Sequence, residues 1–373
     1  MALLRYLINN QACNPNITNT SKYTPLHTAS KQGHLLAIKI LVSREECDLN
    51  IPDERGNTPL HTACKYGHHS TVQFLVANQR CQLKTKNSEM NTPLHIACHT
   101  KALRIIRLLL ERKCSTKIAN KKGETAEGIP LNEDGDCLLH IVCQGGNTAI
   151  VRYLITHKRC NQNIKNHSKS IPLHTASKHG HLDVMKFLVS REECDLNIPD
   201  ERGNTPLHTA CKYGHHSTIQ FLVADQRCQL HAKNREGETP LHTASEHGHL
   251  DTLKLLVSRR ECDLNILDSR GNTPLHIACK HAHHATVQFL VADQRCQLHA
   301  KNGEGETPLH IASEHGNLDT VKVLANRKHC DLNITENRGN TPLHTACKHG
   351  HHSTVEILVA DQRCQLNTKN SEG

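Results

Sequence analysis

Three sets of residues have the types that hold metal ions: Cys64, His68 and His69; Cys211, His215 and His216; and Cys347, His351 and His352. A thiolate with two imidazoles is a zinc-type donor set that a fourth ligand would complete. In each set the cysteine falls inside one predicted short helix and the second histidine at the start of the next, so the donors do not converge. Hydrolytic triads can also be drawn from the many Ser, His, Asp and Cys residues, but every candidate recurs along the chain, whereas one active site needs one nucleophile and one base. The chain holds no G-x-S-x-G elbow, P-loop or dinucleotide fingerprint. The expectation is therefore no catalytic residue, no metal and no cofactor. Asn16, Asn166 and Asn333 head glycosylation-type triplets, which read as accidental without a secretory signal.

The 18 cysteines are placed too regularly for a disulfide framework. Eleven form one column, Cys13, Cys47, Cys81, Cys114, Cys160, Cys194, Cys228, Cys262, Cys296, Cys330 and Cys364, and six more, Cys64, Cys98, Cys143, Cys211, Cys279 and Cys347, stand three residues after a repeated histidine, in a His-x-Ala-Cys string at all but Cys143. Equivalent positions on stacked helices lie about 8–10 Å apart, beyond the roughly 7 Å that a disulfide spans between Cα atoms. Both columns are expected to be small buried thiols in a reducing compartment.

The elements that must carry these residues repeat. Thr-Pro-Leu-His begins at Thr24, Thr58, Thr92, Thr205, Thr239, Thr273, Thr307 and Thr341, with degenerate copies at Cys137 and Ile171. Successive starts are 34 residues apart, except for the steps from Thr92 to Cys137. Thr caps a helix and Pro suits its first turn, which predicts helix one over Leu207–Tyr213, ended by Gly214 in a left-handed conformation. A second helix is predicted over 215–223, with Ile219, Leu222 and Val223 on its apolar side. A polar turn, Asp200-Glu201-Arg202-Gly203, precedes each unit. One unit cannot bury its apolar face, so neighbours must stack. Aromatic residues make up 2% of the chain, with no Trp, so burial rests on aliphatic side chains and cysteine.

Thr-Pro-Leu-His-x-Ala at this period resembles the ankyrin repeat. The resemblance covers nearly the whole chain and implies an all-α solenoid of helix–turn–helix units with β-turn or hairpin fingers, about ten repeats in all. It also implies that the motif histidine, for example His208, hydrogen-bonds backbone between repeats. The chain departs from the pattern in places. The loop after helix two, Ser190-Arg191-Glu192-Glu193, is one residue longer than usual and lacks glycine, and Ala282 replaces the glycine between the two helices. A longer period of 68 residues alternates SREECDLNI-type repeats with ADQRCQL-type repeats.

Thr125–Asp136 interrupts the series: Thr125 opens a unit that stops, and the next opens at Cys137, where Asp136 is the expected cap. The expected organisation is an N-terminal array over 1–124, a joint over 125–136 and a C-terminal array over 137–373. Residues 1–23 align with 148–170 at 12 of 23 identities, so the chain begins in mid-repeat and is expected to be a piece of a longer array.

The resemblance implies that partners dock on the concave side, at finger tips and the ends of helix one. The tips are Glu54, Arg55 and Asn57; Glu201, Arg202 and Asn204; Arg235, Glu236 and Glu238; Ser269, Arg270 and Asn272; and Asn337, Arg338 and Asn340. The helix-one positions are Lys65 and Tyr66, Lys212 and Tyr213, Glu246 and His247, Lys280 and His281, Glu314 and His315, and Lys348 and His349. Tyr66 and Tyr213 stand out because tyrosine is enriched among residues that dominate binding energy. The expected function is a non-catalytic scaffold or adaptor that binds a protein. No small-molecule substrate and no membrane insertion are expected, and the expected compartment is the cytoplasm, with the nucleus as the alternative. The net charge of +9 motivates one rival, charge-driven nucleic-acid binding, against which stand the scarce aromatics and intermixed carboxylates. A second rival is the targeting arm of a larger enzyme or membrane protein.

Overall fold

The computed structural model describes residues 14–112, 114–158 and 160–371. Cys13 and the apolar start of the chain lie outside these residues. The described residues form twenty helices in two compact units, 1–168 and 169–373, and no named strand.

The first unit contains α1 (Pro25–Gln32), α2 (Leu35–Val42), α3 (Pro59–Lys65), α4 (His69–Ala77), α5 (Pro93–His99), α6 (Leu103–Glu111), α7 (Leu138–Gln144) and α8 (Thr148–Lys158). The second contains α9 (Pro172–His179), α10 (Leu182–Val189), α11 (Pro206–Tyr213), α12 (His216–Ala224), α13 (Pro240–Glu246), α14 (Leu250–Val257), α15 (Pro274–Lys280), α16 (His284–Ala292), α17 (Pro308–Glu314), α18 (Leu318–Ala325), α19 (Pro342–Lys348) and α20 (His352–Ala360). In the second unit the first helices of successive repeats, α9, α11, α13, α15, α17 and α19, pack one on the next, and each second helix packs on its own first helix and on the second helix of the following repeat. Leu207, Ala210 and Cys211 from α11 meet Ile219 and Leu222 from α12 in a core that water does not reach. Burying each such aliphatic side chain contributes about 1.5–3 kcal/mol.

Local chemistry sets the helix ends. Thr205 caps α11: its hydroxyl accepts from the backbone N–H of His208 at 3.5 Å, and its own N–H donates to Nδ1 of His208 at 3.1 Å. This is a capping box in which histidine takes the place of the usual Glu or Gln. Gly214 then ends the helix at φ +67°, as its position predicts. Cys137 replaces Thr at the start of α7, and its thiol sits 3.2 Å from Nδ1 of His140. Asp136 does not cap that helix. Its carboxylate instead accepts from Asn132 at 3.0 Å and from Asn166 at 2.7 Å, because residues 132–136 already form a finger closed by Gly135 N–H donating to the Asn132 carbonyl at 3.3 Å. The segment 125–136 thus keeps the opening threonine and the finger of a repeat and lacks its two helices. It lies within the first unit, with Ala126, Ile129 and Leu131 buried.

The glycine between the helices answers two demands. At Gly248 φ is +67°, and a Cβ would stand 2.4 Å from Nδ1 of His283, which lies 35 residues on. Ala282 occupies the same place at φ +57°, in the left-handed region that costs an L-residue about 1–2 kcal/mol. The residue 35 positions after it is Asn317, and this shorter side chain reaches the Cys279 carbonyl at 2.7 Å. The added methyl and the smaller neighbour fit together.

The glycine-free loop after helix two is closed from the next repeat. Arg227 Nη2 donates to the Val189 carbonyl at 2.8 Å, Arg80 to Val42 at 2.6 Å and Arg295 to Val257 at 3.1 Å, and Arg363 does the same to Ala325. A guanidinium at a helix C-terminus satisfies its free carbonyls and opposes its negative end.

Among the described residues the thiols are free and mostly buried, but Cys228, Cys296 and Cys364 are part-exposed and Cys347 is exposed. The expectation of uniform burial fails at Cys347 because among the described residues no further repeat covers α19. Burial pushes the thiols of Cys64, Cys211 and Cys279 well up, which keeps them protonated and unreactive.

Candidate functional site

One histidine per repeat fixes where the fingers stand. His208 Nδ1 accepts from Thr205 N–H, so the ring proton belongs on Nε2, which donates to the Glu238 carbonyl of the following finger at 3.0 Å. His242 reaches Asn272 at 3.0 Å, His276 reaches Glu306 at 3.0 Å and His310 reaches Asn340 at 3.0 Å in the same way. In the first unit His27 reaches Asn57 at 2.9 Å and His61 reaches Asn91 at 3.0 Å. Burial holds His61, His208 and His276 far below the usual histidine range, at about 4.

Each finger is a tight turn organised by its first side chain. Asp200 Oδ1 accepts from the N–H groups of Arg202 and Asn204, both at 2.8 Å, and Asp200 N–H closes the turn on the Asn204 carbonyl at 2.9 Å. Successive tips are linked by single backbone bonds. Arg235 N–H donates to Arg202 at 2.9 Å, Ser269 to Glu236 at 2.9 Å, Gly303 to Arg270 at 2.8 Å and Asn337 to Glu304 at 3.1 Å. The ends of helix one are linked too. His249 Nε2 donates to the Lys212 carbonyl at 3.0 Å, His283 to Glu246 at 2.8 Å and His351 to Glu314 at 2.8 Å. Side chains on both rows are therefore held by a backbone that repeats rigidly.

The residues singled out from the sequence divide. Glu54, Arg55, Lys65, Tyr66, Glu201, Arg202, Lys212, Tyr213, Arg235, Glu236, Ser269, Arg270, Lys280, His281, His315, Arg338, Lys348 and His349 are exposed, whereas Asn204, Glu246, His247 and Glu314 are half-buried. Asn204 is part of the scaffold: its carbonyl receives His174 Nε2 at 2.9 Å and its amide oxygen receives Asn234 at 3.1 Å. Tyr66 and Tyr213 are each 43% exposed. Lys31 and Lys65 place their Nζ atoms 5.7 and 5.8 Å from the Tyr66 ring centre, and Lys178 sits 5.9 Å from that of Tyr213. Tyr213 stacks on His215 with centroids 6.4 Å apart, and His281 stacks on His283 at 6.2 Å. In the first unit the end of helix one meets the next finger directly, with His99 Nε2 3.6 Å from a Glu124 carboxylate oxygen.

Sequence reasoning passed over Lys31, Lys178 and Glu304. The 34-residue period points to each, since Lys178 precedes Lys212 by one repeat and Glu304 follows Arg270 by one.

The sets with metal-ligating types serve the scaffold. Cys211 lies in the core, and His215 spends Nε2 on the Lys178 carbonyl at 2.9 Å. Among the described residues no three His, Cys, Asp or Glu side chains are grouped to hold a metal ion. Likewise no described helix is long and apolar enough to cross a membrane.

Comparison with known families agrees with this geometry. A family model described as ankyrin repeats (3 copies) matches residues 1–87, 126–200, 173–268, 207–302, 260–335 and 286–370, and one described as ankyrin repeats (many copies) matches residues 86–126. No curated protein matches the chain.

Proposed function

This chain belongs to the ankyrin-repeat family, and on that premise we propose that it is a non-catalytic scaffold or adaptor whose finger tips and helix-one ends bind a protein partner on the concave face. Ankyrin repeats are protein–protein interaction modules and typically non-catalytic. The observation that carries the reading is the contrast between a frame that is the same in each repeat and tips that differ from one repeat to the next. His208, His242, His276 and His310 each hold the following finger in the same way, while the residue at the end of helix one changes, from exposed Tyr213 to half-buried His247 to exposed His281. Rigid elements presenting varied side chains are what a specific interface needs. Selectivity resides in Arg202, Lys212, Tyr213, Arg270 and Lys280, with Tyr66, Arg55 and Lys65 in the first unit. The free, unreactive thiols fit a reducing compartment, and the cytoplasm is the proposed one.

Affinity capture from lysate tests this reading, with the wild-type array beside a variant carrying Arg202→Glu, Tyr213→Ala, Arg270→Glu and Lys280→Glu. A nuclease-resistant protein retained by wild type and lost from the variant is the expected result. Equal capture by both would remove the site, and a nuclease-sensitive catch would favour nucleic acid.

A further inference from the structure

Both rows of the second unit change sign from one repeat to the next. The central tip residue runs Arg202, Glu236, Arg270, Glu304, Arg338, and the last turn of helix one runs Lys212, Glu246, Lys280, Glu314, Lys348. The rows are in phase: repeats opening at Thr205, Thr273 and Thr341 carry a cation in each, and repeats opening at Thr239 and Thr307 carry a carboxylate in each. Neighbouring charges temper the first bands, since Glu201 stands beside Arg202 and Arg235 beside Glu236. The later bands are purer. Glu304, Glu306 and Glu314 have no cation beside them on that finger or helix end, and Arg270 has neutral Ser269 as its neighbour. Among the described residues no ion pair joins one band to the next; the one pair on either row is Glu246 with His247, at 3.7 Å within a single repeat. Arg202, Glu236, Lys212, Arg270, Lys280, Glu304, Arg338 and Lys348 are exposed, and Glu246 and Glu314 half-buried, so the bands are open to charges from outside the chain.

We propose that the second unit binds an extended polypeptide segment whose acidic and basic side chains alternate about every third residue. The proposal rests on the scaffold reading and names the chemistry of the partner. Packed helices stand about 8–10 Å apart, and a chain in the extended polyproline II form advances about 3.1 Å per residue and brings every third side chain to the same face, so one repeat corresponds to about three residues of ligand. Carboxylates at positions i, i+6 and i+12 then face the Thr205, Thr273 and Thr341 bands, and cations at i+3 and i+9 face the Thr239 and Thr307 bands. Juxtaposing like charges suppresses wrong partners. A nucleic acid strand, with a negative charge about every 3.4 Å, would set phosphates against Glu246, Glu304 and Glu314.

The test uses the full chain and labelled 13-residue peptides read by fluorescence anisotropy at low salt. One peptide alternates charge every third residue, a second has the same composition in two blocks, and a third is all acidic; a single-stranded oligonucleotide is the fourth probe. The alternating peptide should bind at least about tenfold tighter than any other, a preference that fades as salt screens it. Glu246→Lys with Glu314→Lys, verified as folded by circular dichroism, should turn the preference toward the all-acidic peptide. Equal binding of the blocked or all-acidic peptide by wild type, tighter binding of the oligonucleotide, or no binding of any probe would each overturn the proposal. In the last case a protein still captured from lysate by wild type alone would leave the scaffold reading standing.

Discussion

Lowering the pH from about 7.5 to about 4 should remove most of the stability of the second unit. His208 and His276 are buried and neutral, and burial depresses both to about 4 from an ordinary value of 6.5. The folded state therefore binds fewer protons than the unfolded chain between these values. For such a group the stabilisation is complete above the unfolded value, declines as pH falls below about 6.5 and is gone near the folded value. At about 1.4 kcal/mol per pH unit, each histidine accounts for about 3 kcal/mol. Two together approach the 5–15 kcal/mol of a whole domain. His242 and His310 are lowered by the same burial and act in the same direction, and His61, at about 4, does so in the first unit. Geometry supplies the reason. A proton on Nδ1 of His208 would displace the Thr205 N–H that donates there. With no Trp in the chain, urea titrations followed by far-ultraviolet circular dichroism are the appropriate measurement. A midpoint that stays constant from pH 7.5 to 4.5 would contradict this account.

His208→Leu should cost about 2–4 kcal/mol and act locally. The substitution keeps apolar bulk but leaves Thr205 N–H and the Glu238 carbonyl without the partners that the ring supplies. A buried polar group left unpaired costs about 1–3 kcal/mol, which falls on the Thr205 N–H, and the Glu238 carbonyl keeps only the Asn234 N–H at 2.9 Å. Because each repeat contacts only its neighbours, the damage should concentrate between α11 and the finger at Asn234–Glu238. Amide exchange should accelerate there before it does in α17 or α19. His216 is exposed at the start of α12, so His216→Leu should shift stability by less than about 0.5 kcal/mol. Equal losses in the two variants would show that the motif histidine does not join repeats.

Much of this was legible in the residues. Thr-Pro-Leu-His located helix one because cap, first-turn proline and apolar periodicity are local signals, and α11 starts one residue before the predicted Leu207. Long-range partners were not legible. Arg227 closes the α10 loop from 38 residues away, and nothing near Val189 announces it. Asp136 looked like a cap because it precedes a helix, but the finger motif Asn132-Glu-Asp-Gly-Asp136 had prior use for its carboxylate. The pairing of Ala282 with Asn317 needed the structure to show that residues 35 apart touch. For the candidate site, exposure of most tip residues followed from turn chemistry, whereas the structural duty of Asn204 did not, since its partners His174 and Asn234 belong to neighbouring repeats.

The central claim is that partners meet the array at its tips and helix-one ends. Site-specific photo-crosslinking in lysate tests it most directly, with the reactive side chain placed in turn at Tyr213, His281, Glu192 and Arg260 of the full chain. All four positions are exposed, but Glu192 and Arg260 lie in loops after helix two. The account predicts that one protein band crosslinks from Tyr213 and His281 and not from Glu192 or Arg260. Crosslinks from the loop positions alone would contradict it and move the interface to the other side of the repeats.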